Sequence, residues 1–298
     1  MIDRNQSLDE ARAFHAKLMA AASGSNDPRL EPAFGAVPRE AFMPPGPWQI
    51  MVDHRYLGTP TDDPRYLYQN ALVALDSAKG INNGEPYLHA AWIGAVAPQA
   101  GDAVTHIGAG TGYYSALLSL LVRPGGKVEA FEIDDALADK ARKNLAAYAG
   151  VTVTSGDATR LPLPASDVIY VNAGVVAPPG AWLEALRAGG RLIFPWRPAD
   201  GVALTILITR TAKGFAATPL MPSLFIACVG ASSREGCLKV PTMRQARSAR
   251  SVWLATERAP DKTAVAVYRH LWFSSERLTP AKAWSFGVKP RTRPGSNR

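Results

Sequence analysis

The chain has 298 residues, 47% of them apolar and 19% charged, which is ample for the core of one large domain or of one domain with an appendage. It contains no run of about 18 uncharged apolar residues, the length a membrane helix needs. Met1 to Gln6 carries no apolar export signal, so a cytoplasmic protein is expected.

The net charge of +8 is concentrated, because residues 231–298 hold 14 Lys/Arg against 4 Asp/Glu. Such a tail can meet RNA, a membrane or an acidic protein. These charges are scattered as on a solvated face, so a nucleic-acid partner is possible but not favoured. Cys228 and Cys237 have no His or Cys partners at zinc spacing, so they read as reduced thiols and no metal site is expected.

Ser7-Leu8-Asp9-Glu10 is a capping-box pattern opening a helix to about Ala22, with Leu8, Ala11, Phe14, Leu18 and Met19 as its apolar stripe. A second short helix covers Leu30 to Ala36. A long Pro- and Gly-rich loop follows, ending in an edge strand over Ala71–Asp76. Residues 1–80 therefore read as N-terminal helices with a substrate lid. Pro86 then starts a helix through Leu88, Trp92, Ile93 and Val96.

From Ala103 strands and helices alternate: strand 103–107, helix 113–122, strand 127–132, helix 134–148, strand 151–154, strand 168–171, helix 179–187 and strand 191–194. This alternation specifies an α/β fold, an open parallel sheet with helices on both faces. Val202 to Thr209, Phe215 onward and Leu224 to Val229 are joined by connections too short for anything but antiparallel pairs. Runs 251–256 and 264–268, joined by Ala259-Pro260-Asp261-Lys262, read as a β-hairpin added at the edge, before a disordered end from about Lys289. The expected division is 1–80, a core at 81–230 and a basic extension at 231–298.

Ligands of open α/β sheets sit at the carboxyl ends of the strands. Gly108, Gly110 and Gly112 end the first strand there, spaced more tightly than the G-x-G-x-x-G of dinucleotide enzymes. Glu132 ends the second, where a carboxylate can accept both hydroxyls of a ribose. Asp157 ends the third, where a short acid can accept from an adenine amino group. His106 and Asn172, at the ends of the first and fourth strands, and Gly84, before the Pro86 helix, complete the expected cofactor set. A nicotinamide enzyme fits the three strand ends alone. The glycine spacing, the second acid and the antiparallel end argue against it.

Those features together look like a class I S-adenosylmethionine-dependent methyltransferase. Val37-Pro38-Arg39-Glu40-Ala41-Phe42-Met43-Pro44 resembles the VPRxxFVP segment of the protein-L-isoaspartate O-methyltransferase family. Ile107-Gly108-Ala109-Gly110-Thr111-Gly112-Tyr113 resembles its IGTGSGY. Residues 186–195, Leu-Arg-Ala-Gly-Gly-Arg-Leu-Ile-Phe-Pro, resemble its LKPGGRLVIP. The resemblance spans roughly residues 7–230. It implies a Rossmann-like, seven-stranded, mostly parallel sheet with an antiparallel C-terminal strand, S-adenosyl-L-methionine as cofactor, and a carboxylate of a peptide, protein or small molecule as acceptor.

The acceptor half departs from that pattern. The family's T-I-S-x-P segment, whose Ser is associated with acceptor handling, corresponds to Ile81-Asn82-Asn83-Gly84-Glu85-Pro86-Tyr87-Leu88-His89-Ala90, where Pro86, His89 and Ala90 fit the pattern but Gly84 stands where the Ser belongs. His106 replaces the acid that usually precedes the glycine turn. A carboxylate acceptor is already ionised and needs no base, and free N–H groups at the Glu85-Pro86-Tyr87 helix start can position it. A hydroxyl or nitrogen acceptor, on a small molecule or RNA, needs a base, for which Glu85, His89 and His54 are the candidates. After the fourth strand, Val171-Asn172-Ala173-Gly174 lacks the aromatic motif of base methylation. A non-catalytic cofactor-binding protein is the remaining alternative.

Overall fold

The computed structural model describes residues 7–278, so the expected disordered end from Lys289 lies outside the described residues. Helix α1 (Leu8–Ala22) starts where the sequence places it: Ser7 Oγ accepts the Glu10 N–H at 3.1 Å, and Glu10 Oε2 accepts the Ser7 N–H at 2.7 Å. Helix α2 (Leu30–Ala36) follows, then a 3-10 turn at Arg39–Phe42.

The loop beyond that turn holds a hairpin the sequence reading missed, β1 (Gln49–Val52) and β2 (Arg55–Gly58). Its turn residues Asp53 and His54 sit at φ 47° and 61°, the left-handed backbone that a two-residue hairpin demands. The expected edge strand near Ala71–Asp76 is shorter and elsewhere. Strand β3 (Ala74–Asp76) pairs with β4 (Ile81–Asn82) in a separate two-stranded sheet.

Helix α3 (Pro86–Val96) leads into the alternating region. There β5 (Ala103–Ile107), α4 (Tyr113–Leu121), β6 (Lys127–Glu132), α5 (Asp135–Leu145), β7 (Val151–Ser155), β8 (Ser166–Val171), α6 (Gly180–Ala185) and β9 (Leu186–Ala199) follow in turn. Strands β7-β6-β5-β8-β9 are parallel neighbours. The order reverses at β5, which opens a crevice at the carboxyl ends of β5 and β8. Strand β10 (Val202–Thr211) runs antiparallel to β9, and β11 (Gly214–Pro222) antiparallel to β10. These seven strands are the α/β fold expected from the sequence.

The extension continues the same sheet. It contributes β12 (Cys237–Lys239), α7 (Met243–Ala246), β13 (Ser251–Leu254), β14 (Ala264–Tyr268) and β15 (Leu271–Ser274), giving eleven strands in one sheet among the described residues. A hairpin is present, but it joins β14 to β15, and β13 pairs with the other side of β15 and with β11. Every residue of β15 is buried, so that strand belongs between two others, and the loop after β13 leaves room for it. The Trp196 ring of β9 stacks on Phe273 of β15 at 4.2 Å, and its Nε1 donates to Tyr268 Oη at 3.1 Å. One core therefore spans the α/β sheet and its extension. No helix among the described residues is long and apolar enough to cross a membrane.

Candidate cofactor and acceptor cavity

A cavity of about 850 Å³ lies over the carboxyl ends of the parallel strands, lined by Gly108, Gly110, Glu132, Asp157 and Asn172 on one side and by Asn83, Gly84, His89 and Phe225 on the other. That volume is at the large end for small-molecule sites and suits a cofactor with its acceptor.

The glycine turn is clamped from several directions. Gly108 and Ala109 donate backbone N–H groups to Phe131 O at 2.9 and 3.1 Å, tying the turn to β6. Gly112 has φ 98°, and a side-chain carbon there would lie 2.7 Å from Leu145 Cδ1, so the turn is compact enough for α5 to pack on it. The Val37–Pro44 segment supports the turn too. Thr111 Oγ1 donates to Phe42 O at 2.6 Å, the Phe42 ring meets Tyr113 edge-on at 5.6 Å, and the buried Arg39 guanidinium lies 5.2 Å from the Tyr113 ring centre.

Glu132 is 7% exposed at the end of β6. Its Oε2 accepts the Gly110 N–H at 2.6 Å and its Oε1 the Asp134 N–H at 3.0 Å. Burial pushes its pKa up, and these backbone bonds partly oppose the rise. Each oxygen keeps a lone pair, so the carboxylate is oriented and still able to accept a pair of hydroxyls.

Asp157 Oδ1 caps its own turn, accepting Thr159 N and Thr159 Oγ1 at 2.9 and 2.7 Å. Its Oδ2 lies 3.4 Å from Arg160 Nε. Asp157 is thus a turn residue and a cavity residue at once. Asn172 completes the wall with a buried Oδ1 acceptor that has no hydrogen-bond partner. A ligand with amino and hydroxyl groups fits this side of the cavity.

His106 does not reach the cavity, which corrects its expected cofactor contact. Strand alternation turns its side chain away from that of Ile107 and into the sheet–helix interior. There Nδ1 meets Ser115 Oγ at 2.7 Å and Nε2 meets Asn172 Nδ2 at 2.8 Å. Burial pushes its pKa down to about 3, so the ring is a neutral brace beneath Asn172.

The acceptor side brings His89, Glu85 and His54 around one opening, with different freedoms. His54 is exposed on the β1–β2 turn at the rim. The Glu85 carboxylate accepts from Asn70 Nδ2 at 2.6 Å, while Asn70 Oδ1 accepts the Tyr87 N–H at 2.9 Å. Asn70 therefore caps α3, and the Tyr87 N–H expected to be free for an anion is already bonded. His89 is 1% exposed, stacked on Tyr114 at 3.7 Å and bonded through Nδ1 to Tyr170 Oη at 2.9 Å. Burial holds its pKa well below the usual histidine range.

Residues 223–231 are the part of the site that sequence reasoning missed. Leu224 to Val229 is no strand of the sheet but a strap across the strand ends. It is held by Gly174 N to Ile226 O at 2.6 Å, Cys228 N to Gly174 O at 2.8 Å and Val176 N to Ala231 O at 2.8 Å. It seats Phe225 on Trp92, with ring centres 5.0 Å apart, and edge-on to His89 at 5.7 Å. Leu224, Ile226 and Val229 stay exposed at the mouth. An apolar run reads as a strand by periodicity alone, and only these pairings distinguish the two.

Comparison with known proteins agrees with this geometry. Residues 21–233 match the family model described as protein-L-isoaspartate(D-aspartate) O-methyltransferase. The chain is 30% identical over 195 residues to the protein-L-isoaspartate O-methyltransferase of Ignicoccus hospitalis, covering 64% of this chain and 83% of that protein. It is 31% identical over 221 residues to that of Methylorubrum populi, covering 73% of this chain and 94% of the relative. Among solved structures, a protein-L-isoaspartate O-methyltransferase superposes with a TM-score of 0.64 at 23% identity, covering 82% of this chain and 73% of the other. A Plasmodium falciparum protein described as a putative member, in complex with S-adenosyl-L-homocysteine, gives 0.58 at 15% identity, covering 73% and 97%. With the three strand-end groups placed around one cavity and the family model spanning most of the chain, the protein belongs to the protein-L-isoaspartate O-methyltransferase family and is an S-adenosylmethionine-dependent methyltransferase.

Proposed function

We propose that this enzyme esterifies a carboxylate of a peptide or protein acceptor, with Glu132, Asp157 and Asn172 holding the cofactor. S-adenosylmethionine supplies a methyl already activated on a sulfonium. The chain's task is therefore to align an oxygen nucleophile with that methyl and to exclude water.

The observation that carries the carboxylate reading is the state of His89. Its Nδ1 is taken up by Tyr170 Oη at 2.9 Å, its ring is packed against Tyr114 and Phe225, and burial pushes its pKa down, so it is poorly placed to take a proton from a hydroxyl or an amine. Glu85 is bonded to Asn70, and His54 lies out at the rim. A carboxylate is ionised at neutral pH and needs none of them as a base. Phe225 and Tyr114 line the cavity beside His89, with Trp92 stacked behind Phe225, and this apolar wall would help keep water from the reacting oxygen.

The test is incubation with methyl-labelled S-adenosylmethionine and an isoaspartyl peptide, beside its aspartyl form and a phenol or amine of similar size. Base-labile label on the isoaspartyl peptide supports the reading. Base-stable label on the phenol or amine, with none on peptide, overturns it.

A further inference from the structure

Gly84 and His89 compete for one volume. A side-chain carbon on Gly84 would collide with His89 Nε2 and lie 2.7 Å from its Cδ2. The imidazole thus fills the place that a serine at 84 would take, and Gly84, at φ 76°, folds its backbone around the ring.

The ring is fixed on all sides but one. Tyr114 stacks on its face, Phe225 meets it edge-on, and Tyr170 Oη holds Nδ1 at 2.9 Å. Among the described residues Nε2 has no hydrogen-bond partner, and it is the nitrogen that faces Gly84 at the cavity wall. Tyr170 Oη also lies 3.4 Å from His89 O, a poorer acceptor position than Nδ1. Assigning the phenol proton to the shorter of the two contacts makes Tyr170 Oη the donor to Nδ1. The neutral ring then carries its own proton on Nε2.

Two further facts say what that proton serves. Lys79 is the single Lys or Arg among the described residues lining the cavity, and it pairs with Asp134 beside the cofactor side. Among the described residues no unpaired Lys or Arg therefore lines the cavity to meet an anionic acceptor. Next to Gly84, Asn83 accepts the Val73 N–H through Oδ1 at 2.8 Å, which leaves its buried amide Nδ2 a donor without a partner. The wall around Gly84 thus offers neutral N–H donors, the groups that bind a carboxylate in the absence of a charge.

We infer that His89 donates its Nε2–H to the acceptor carboxylate and orients it for methyl transfer, the role left open where glycine replaces serine at position 84. The assignment rests on the carboxylate reading above. It makes His89 a hydrogen-bond donor rather than the base that a hydroxyl acceptor would require. The donor stays neutral throughout, so no proton leaves the ring.

The experiment uses the full chain with an isoaspartyl peptide as probe. Wild type, His89→Phe, His89→Gln and the double variant Gly84→Ser with His89→Ala are compared. Three quantities are read: kcat/KM, peptide affinity by calorimetry in the presence of S-adenosylhomocysteine, and affinity for S-adenosylhomocysteine alone. His89→Phe keeps the stacked ring but removes Nε2–H, and kcat/KM and peptide affinity should fall about 10- to 100-fold. S-adenosylhomocysteine affinity should stay within about twofold. His89→Gln and the double variant restore a donor and should both exceed His89→Phe.

Equal peptide affinity in wild type and His89→Phe overturns the assignment. So does a parallel loss of both affinities with no rescue, which marks a purely structural ring. If wild type binds S-adenosylhomocysteine but neither binds nor methylates the peptide, the carboxylate reading falls and takes the assignment with it.

Discussion

Glu132 and Gly110 are joined by a 2.6 Å hydrogen bond from the backbone N–H of the glycine turn to a carboxylate at the end of the neighbouring strand. The acid is thereby oriented before any ligand arrives, and the turn is held at the height of the cavity floor. Replacing Glu132 with Gln removes the charge and points an amide donor at one of two backbone donors. Affinity for S-adenosylhomocysteine is expected to fall about 10- to 100-fold, read by calorimetry. Unchanged affinity would remove Glu132 from the cofactor set.

Gly112 is expected to be intolerant of alanine for two reasons that act together. Its φ of 98° is strained for any residue with a side chain, and Leu145 Cδ1 stands 2.7 Å from the new carbon. Gly112→Ala should destabilise by about 1–3 kcal/mol, and Leu145→Ala in the same chain should relieve the clash but not the backbone strain. A chemical-denaturation series on Gly112→Ala, Leu145→Ala and the double variant separates the two contributions. A Gly112→Ala protein as stable as wild type would contradict both.

The Trp196–Phe273 stack predicts that the extension is part of the folding unit. Phe273→Ala should cost about 3–5 kcal/mol, as for other aromatic deletions in a core. A chain ended after Ala231 should lose its cooperative thermal transition, because β11 would lose its neighbour β13 and Trp196 its partner. A truncated protein that still melts cooperatively and binds S-adenosylhomocysteine would instead make residues 232–278 an appendage.

Acid sensitivity follows from His15 and His106. Burial lowers both to about 3, with the nearby Arg39 charge adding to the effect at His15, against about 6.5 in an unfolded chain. Between those values the unfolded chain binds the proton and the folded one does not, so stability is full above 6.5 and falls as pH drops. Each histidine should cost about 2 kcal/mol by pH 5. Denaturant midpoints at pH 7, 6 and 5 test this, and His15→Phe should flatten the dependence. A wild-type midpoint constant over that range would show that these rings are not held neutral.

Much of the molecule is legible in local sequence because the forces concerned are local. The Ser7–Glu10 capping box, the period of the α/β segments and the acids Glu132 and Asp157 all depend on residues within a turn or a strand. The polarity of a strand then decides which end of it faces a ligand. The chain's resemblance to its family rested on the same short segments, Val37–Pro44 and Ile107–Tyr113.

Tertiary structure alone decided the rest. Whether His106 faced the cavity or the interior depended on which side of β5 was covered by α4 and Ser115. That β15 lies between β13 and β14 followed from burial on both faces, which no pairing rule for adjacent runs contains. The strap at 223–231 became visible through its bonds to Gly174 and Val176, residues about fifty positions earlier in the chain. The exclusion of a side chain at Gly84 is a matter of volume between that residue and the ring of His89, fixed by Tyr114, Tyr170 and Phe225. Local propensity sets elements and their ends, whereas side-chain contacts in three dimensions set which atoms share a space.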